Sequence, residues 1–114
     1  MSVKMTTRQV GDVTIIDVSG RVTLGEGSSL IRETLRDLTA RGIKKILLNL
    51  SDVSYIDSTG IGELVAGFTS ATNAGGTVKL LGLTKHVKDV LQITRLYTVF
   101  EPYEEEAEAV RSFA

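Results

Sequence analysis

The sequence predicts an α/β domain with a mixed, mostly parallel sheet of four to five strands, about four helices and an opening β-hairpin. Three observations support this fold class. Apolar runs of strand length alternate with segments whose apolar residues recur at helical spacing. Residues 43–50 are rich in apolar side chains, which is typical of a strand covered on both faces. Only Gly11-Asp12 separates the first two strand-like segments, as in a hairpin. We therefore expect residues 1–114 to form a single domain.

The first two strands form the predicted hairpin. Residues 3–10 alternate loosely between apolar and polar side chains, and residues 13–18 form a β-branched run that Ser19-Gly20 ends. The glycine-containing loop that follows lacks the glycine order of a dinucleotide site or of a phosphate-binding loop. It indicates a flexible connection to the first helix.

Three predicted helices in the middle of the chain have recognisable start or end signals. Ser28 or Ser29 is expected to cap the first helix, and Gly42 is expected to end it. The second helix ends near residues 73–76, and Thr84 is expected to cap the third. Their apolar stripes consist of Leu30, Ile31, Leu35 and Leu38, then Ile61, Leu64, Val65 and Phe68, then Val87, Val90 and Leu91.

The last predicted elements are a buried strand at residues 78–83, a short edge strand at 96–100 and a final helix that runs to about residue 113. Pro102 is expected to open that helix, because the N–H that proline lacks has no partner in a first helical turn. Strands that alternate with helices imply right-handed crossovers between parallel strands.

Composition narrows the classes of function. The 13 basic and 14 acidic residues nearly cancel, so no basic surplus favours nucleic acid or an anionic membrane. The absence of cysteine excludes disulfides, thiolate catalysis and zinc–thiolate sites, and no His/Asp/Glu cluster has metal-ligand spacing. No apolar run approaches the roughly 20 residues of a membrane-spanning helix. We expect a cytoplasmic protein with no cofactor, no metal, and neither nucleic acid nor membrane as a partner.

The most informative stretch is residues 54–62, Ser-Tyr-Ile-Asp-Ser-Thr-Gly-Ile-Gly, where a strand gives way to a helix. Sites in mostly parallel sheets lie beyond the carboxyl ends of the strands, and the 43–50 strand leads to this stretch. Asp57, Ser58 and Thr59 are all residue types that cap a helix start, where free N–H groups and the helix dipole favour a phosphate. A helix cap is the simplest explanation for these residue types. However, a helix needs only one cap residue, and three candidates stand in a row here.

Gly60 and Gly62 follow within the first turns of the same predicted helix. Glycine inside a helix costs about 1 kcal/mol relative to alanine, so two glycines require a reason. One such reason is a bare surface that lets another molecule approach Ser58. Our working hypothesis is an exposed Ser58 hydroxyl beside a docking surface.

Residues 55–62 resemble the signature of STAS domains, the group named for sulfate transporters and anti-sigma factor antagonists. The hairpin, Val18-Ser19-Gly20 and the strand segment 47–50 match that family in the same order, so the resemblance covers nearly the whole chain. Among its members, the short free-standing bacterial anti-sigma factor antagonists are the most similar in form. The resemblance implies the STAS fold and a regulatory, protein-binding role.

For the antagonists, the resemblance implies that a serine kinase, which is itself the anti-sigma factor, phosphorylates Ser58, and that a serine phosphatase restores the hydroxyl. Only the unmodified form would bind the anti-sigma factor and free the sigma factor. Thr23 departs from the family pattern, since many antagonists carry an acidic residue in that region near the partner surface. The expected partner-binding residues are Arg21, Thr23, Asp57, Ser58, Thr59, Gly60, Ile61 and Gly62.

Several alternatives stay open. Asp57 either caps the helix or orients the Ser58 hydroxyl and the kinase, and Thr59 is either a first-turn residue or a second phosphate acceptor. The chain is alternatively a STAS subunit of a transporter or of a sensory assembly. A serine hydrolase is a further alternative, but the single histidine, His86, stands beside two lysines as on a solvated helix face, and no Gly-x-Ser-x-Gly motif is present. We expect no enzymatic activity and no catalytic residue.

Overall fold

The computed structural model of the chain describes residues 3–95, 100 and 102–114. These residues form five strands and four helices in one mixed sheet with helices on both faces. The strands are β1 (Val3–Val10), β2 (Val13–Val22), β3 (Lys45–Ile56), β4 (Thr77–Leu81) and β5 (Pro102–Tyr103). The helices are α1 (Glu26–Ala40), α2 (Ser58–Asn73), α3 (Lys85–Ile93) and α4 (Glu106–Arg111).

The sheet has the order β1-β2-β3-β4-β5. β1 and β2 pair antiparallel as the opening hairpin, and every later pair of neighbouring strands is parallel. The predicted fold class is therefore confirmed, including the hairpin and the mostly parallel sheet.

The central strand β3 is buried on both faces, as its apolar composition predicts. Ile46 and Leu48 belong to the larger core, and Leu47 belongs to a smaller core on the opposite face that includes Ala109 of α4. All three side chains are fully buried. The larger core also contains side chains of α1, α2 and α3, so β3 is covered from both sides, and its carboxyl end projects toward Asp57.

The two central strands extend further than their apolar runs indicate. β2 continues to Val22 and β3 to Ile56, where these two residues are opposite each other in the parallel register. Two register irregularities around Ser19 and Gly20 interrupt the ladder, and Gly20 has a φ of 102° that favours glycine. Ser19-Gly20 is thus a bulge within β2, and the prediction that it ends the strand was wrong.

The predicted cap of the first helix was also wrong. Gly25 precedes the helix with a φ of 101° and makes no side-chain cap, so α1 begins at Glu26. Ser28 is buried inside the first turn, and its backbone N–H donates to the Thr23 carbonyl at 3.0 Å. The positive φ of Gly25 turns the chain, so α1 starts earlier than it would with Ser28 or Ser29 as its cap. The hydrogen bond from Ser28 to Thr23 holds the loop after β2 close to the start of α1.

Other helix boundaries agree with the sequence. Gly42 has a φ of 82°, its N–H donates to Thr39, and the Ile43 N–H donates to Leu38, each at 3.0 Å. These two bonds form the glycine-based motif predicted to end α1. Thr84 caps α3, since its hydroxyl oxygen accepts from the Val87 N–H at 3.4 Å.

Pro102 does not open the final helix. It begins the two-residue strand β5, and α4 starts four residues later at Glu106. β5 pairs with β4 alone, and proline is tolerated at such an edge because its missing N–H need not join a ladder. Of the edge strand predicted at residues 96–100, residues 96–99 lie outside the described residues, and Phe100 is a fully buried core residue in a bend.

The short helix α4 is tied to the hairpin by one arginine. Arg8 of β1 donates to Asp17 at 2.6 Å and to Glu106 at 2.7 Å, and Asn49 donates to Asp17 at 2.8 Å. The guanidinium holds the pKa of both carboxyl groups below their usual range. This network closes the smaller core on the face of the sheet that α4 covers.

Candidate functional site

The loops after β2, β3 and β4 meet at one edge of the sheet. The Asp57 N–H donates to the Val22 carbonyl at 3.1 Å, which joins the segment after β3 to the end of β2. On the other side, the Thr84 hydroxyl donates to the Val53 carbonyl at 3.1 Å, which joins the start of α3 to β3. The predicted site is therefore built at the carboxyl edge of the parallel strands, as expected for this class of sheet.

Asp57 organises this edge through its two carboxylate oxygens. Oδ1 accepts from the Gly60 N–H at 2.9 Å, and Oδ2 accepts from the Leu24 N–H at 3.0 Å. The bond from Gly60, followed by that from Leu24, lowers the pKa of Asp57, although partial burial opposes the shift. The capping function predicted for Asp57 is confirmed. Its other predicted function, orienting Ser58 and a kinase, stays a prediction.

We expect Asp57→Asn to lower the free energy of unfolding by about 1–2 kcal/mol at pH 7, because it removes the charged cap and turns an acceptor into a donor facing Leu24. The folded pKa of Asp57 lies below its unfolded value, so this stabilisation is present above about pH 4 and is lost as the pH falls further. Urea unfolding at pH 7 and pH 3 measures both effects.

Asp52→Asn is the matched control for this prediction. Asp52 is an exposed aspartate of β3, the strand that leads to Asp57, and its side chain makes no hydrogen bond or ion pair with the described residues. Its replacement should change stability by less than about 0.5 kcal/mol at either pH. An equal effect of the two substitutions would contradict the capping account.

Ser58 is the first residue of α2 and is exposed. Its hydroxyl makes no hydrogen bond with the described part of the chain. The positive end of a 16-residue helix and the free N–H groups of its first turn lie beside it. Thr59, the next residue, is half-buried. Ser58 is thus the accessible hydroxyl that the sequence hypothesis requires.

Gly60 and Gly62 are present for different reasons. A Cβ atom added at Gly60 would lie 2.7 Å from Ile56 Cγ1 and 2.8 Å from Val22 Cγ1, so internal packing demands glycine there. A Cβ atom at Gly62 would meet nothing within 4 Å. Packing inside the domain therefore requires glycine at position 60 but not at position 62. Of the two glycines, only Gly62 leaves the outer surface of α2 bare without a packing reason.

The other predicted partner-binding residues also divide into buried residues and accessible ones. Ile61 is 5% exposed and packs in the core, so its effect on docking, like that of Gly60, is indirect. Thr23 is half-buried, and Arg21 is exposed with its guanidinium carbon 4.5 Å from the centre of the Tyr55 ring. The accessible part of the predicted set consists of Arg21, Thr23, Asp57, Ser58, Thr59 and Gly62.

His86 is not the solvated residue that its lysine neighbours indicate. Its ring is half-buried and stacks on Tyr55 with centroids 4.7 Å apart, and its Nε2 lies 3.2 Å from the Ile56 carbonyl oxygen. No hydrogen bond joins it to the Ser58 hydroxyl, so the described residues contain no serine–histidine pair. The signal that could have found this contact is the position of Tyr55 near the end of β3 and of His86 in the first turn of α3, the helix that follows the neighbouring strand β4.

Two further sequence arguments concern absent features. Among the described residues, no group of three or more His, Cys, Asp or Glu side chains is arranged to hold a metal ion. None of the helices in that part of the chain has the length and apolarity needed to cross a membrane.

The protein is thus an α/β domain in which the central strand of a mixed sheet leads to a capped helix start with an exposed serine. The chain belongs to the STAS domain family, which matches residues 4–109. The anti-sigma-B factor antagonist of Bacillus subtilis is 28% identical over 101 residues, which cover 89% of this chain and 91% of that protein.

Solved structures show the same fold. The crystal structure of the Thermotoga maritima protein TM1081 has a TM-score of 0.89 and 29% identity, and covers 96% of this chain and 93% of that one. The Bacillus cell fate determinant SpoIIAA in its phosphorylated form has a TM-score of 0.77, with 97% of this chain and 100% of that chain covered. Its identity is 19%, so this second likeness concerns the fold alone.

Proposed function

We propose that this protein is an anti-sigma factor antagonist that acts in the cytoplasm as a docking switch controlled by phosphorylation of Ser58. The observation that carries the proposal is an exposed, unbonded serine hydroxyl on the first turn of α2 in a STAS domain. The likeness to the Bacillus subtilis antagonist over most of both chains supports the same class of function. The function is regulatory rather than catalytic.

In this proposal, the partner is an anti-sigma factor that is also a serine kinase. The unmodified protein binds it and frees the sigma factor, and a serine phosphatase reverses the modification. The docking surface consists of the accessible residues at the carboxyl edge, namely Arg21, Thr23, Asp57, Ser58, Thr59 and Gly62. Gly60 and Ile61 support this surface from inside the domain.

Phosphorylation is expected to change binding and to leave the fold intact. A phosphate adds roughly −1.5 to −2 charges at pH 7. The N-terminus of α2 accommodates this charge, whereas the ionised Asp57 opposes it. In an interface fitted to a bare hydroxyl, a dianion without a cation costs several kcal/mol, and each 1.4 kcal/mol is about tenfold in affinity.

The test is phosphate mapping by mass spectrometry after incubation of the full chain with Mg-ATP and each candidate serine kinase from its own genome. We expect one kinase to modify Ser58 and to leave Ser70, an exposed serine near the other end of α2, unmodified. Ser58→Ala should abolish labelling, and Thr59→Val should preserve it. Labelling that is confined to Thr59, or that no kinase produces, would overturn the proposal.

A further inference from the structure

Arg21 is a fixed cation at the proposed docking surface. It is exposed near the end of β2, and no carboxylate of the described residues pairs with it. Asp57, an acidic residue at the same edge of the sheet, already accepts from two backbone N–H groups. The positive charge of Arg21 is therefore not neutralised by a neighbouring side chain.

The guanidinium is held in place by an aromatic stack. It lies 4.5 Å from the centre of the Tyr55 ring, and His86 stacks on Tyr55 at 4.7 Å with an interplanar angle of 19°. His86 is itself fixed by the contact between its Nε2 and the Ile56 carbonyl oxygen at 3.2 Å. Residues of β2, β3 and α3 thus act together to orient the Arg21 guanidinium.

A stacked guanidinium keeps its N–H groups free at its edges. These N–H groups form a planar fork that matches a carboxylate through two parallel hydrogen bonds. Because the stack already restricts the side chain, binding an anion loses less rotamer freedom than it would for a mobile arginine. Arg21 therefore has the geometry of a receptor for a planar anionic group.

An exposed apolar residue follows Arg21 three positions later in the chain. Leu24 is 76% exposed, and its backbone N–H is held by Asp57 at 3.0 Å, so the residue is presented on a fixed loop. Burying such a side chain in a partner removes apolar surface from water and favours association. Asp57 links this loop to the helix start that carries Ser58.

We propose that Arg21 binds a carboxylate of the partner protein and that Leu24 enters an apolar pocket next to that carboxylate. The inference rests on the proposed function and adds the chemistry of the partner: an acidic side chain beside an apolar depression. A nucleic-acid phosphate is not favoured here, because the formal net charge of the chain is −1 and the neighbouring Lys85 pairs with Asp89.

This pairing explains how a phosphate on Ser58 would act. Arg21 contacts Tyr55, which is three residues before Ser58, so the partner carboxylate that Arg21 attracts would approach the helix start that carries the new dianion. Charges repel each other within the Debye length, which is about 8 Å at physiological ionic strength. The same acidic group of the partner would therefore be attracted by Arg21 in the unmodified state and repelled by the phosphate in the modified state. Binding in the unmodified state and release in the modified state would then depend on one partner side chain.

The experiment uses the kinase that labels Ser58 in the mapping described above. Its affinity for the unmodified full chain is measured by calorimetry without ATP, at low and high salt. We expect Arg21→Gln to weaken binding about 10- to 100-fold at low salt and to reduce the salt dependence. Arg21→Lys should fall between, since it keeps the charge and loses the fork. Leu24→Ser should weaken binding about tenfold.

Arg36→Gln is the matched control, because Arg36 is an exposed arginine of α1 that makes no ion pair with the described residues. It should leave the affinity unchanged, and thermal unfolding should show that every variant is folded. If Arg21→Gln binds like Arg36→Gln while the kinase still labels Ser58, this inference is overturned and the proposed function stands.

The other source of an anion is the phosphate on Ser58 itself. In that case, Arg21→Gln would shift the phosphorus resonance of the phosphorylated chain and leave the affinity of the unmodified chain unchanged, which would also overturn the inference. If no kinase labels Ser58, both proposals fail together.

Discussion

Ser58→Asp should bind the kinase at least about 100-fold more weakly than Ser58→Ala, which should bind as tightly as the wild-type chain. Alanine keeps the exposed start of α2 small and neutral, so the docking surface is preserved. Aspartate places a negative charge where the proposed partner would meet a hydroxyl, although with less charge than a phosphate. Calorimetric titration of the kinase with each variant measures the difference.

Thermal unfolding separates this effect from a loss of structure. An acidic residue in the first turn of a helix is favourable by about 0.3–1 kcal/mol, and repulsion from Asp57 opposes it, so Ser58→Asp should unfold close to the wild-type temperature. Ser70→Asp adds the same charge on an exposed position near the other end of α2 and should leave the affinity unchanged. Equally tight binding by Ser58→Asp, Ser58→Ala and the wild type would refute the switch.

Gly60→Ala and Gly62→Ala should change stability in opposite directions. At Gly60, the new methyl group would lie 2.9 Å from the Val22 carbonyl oxygen and closer still to two side chains, so we expect a loss of about 2 kcal/mol or more. At Gly62, the methyl group meets nothing, and the higher helix propensity of alanine should stabilise the fold by up to about 1 kcal/mol. Urea unfolding of the two variants gives both values.

The same pair of variants tests the docking surface. Gly62→Ala should weaken kinase binding by about tenfold despite its more stable fold, because in the proposed complex the new methyl group would stand between the backbone of α2 and that of the partner. A control for helix stabilisation is Thr69→Ala, which replaces an exposed residue further along α2 and should not alter affinity. Unchanged affinity in Gly62→Ala would remove Gly62 from the proposed surface.

Local patterns predicted the elements that position the site. The apolar run of β3, the helical spacing after Ser58, the Asp57 cap and the Gly42 helix end are all signals carried within a few residues. The resemblance at residues 55–62 indicated the family that matches most of the chain. Such features depend on propensity, capping and periodicity, which act over one or two helical turns.

Boundaries governed by backbone conformation were predicted less well. Gly25 starts α1 before Ser28, and Pro102 lies in an edge strand instead of opening α4. Serine and proline were expected in these positions because both occur at helix starts, but the neighbouring strand and loop decide which start is used. A single sequence window does not contain that information.

The sequence by itself determined the α/β order of this protein, the capped helix start after β3 and the hydroxyl that it presents. Tertiary structure alone decided why Gly60 and Gly62 differ, where His86 packs, and which cation is oriented at the proposed docking surface. Gly60 of α2 packs against Val22 of β2, and His86 of α3 stacks on Tyr55 of β3, so both contacts join elements that are distant in the chain. The physical reason is that packing and stacking depend on which residues the sheet register brings together, whereas capping depends on the chain's own neighbours.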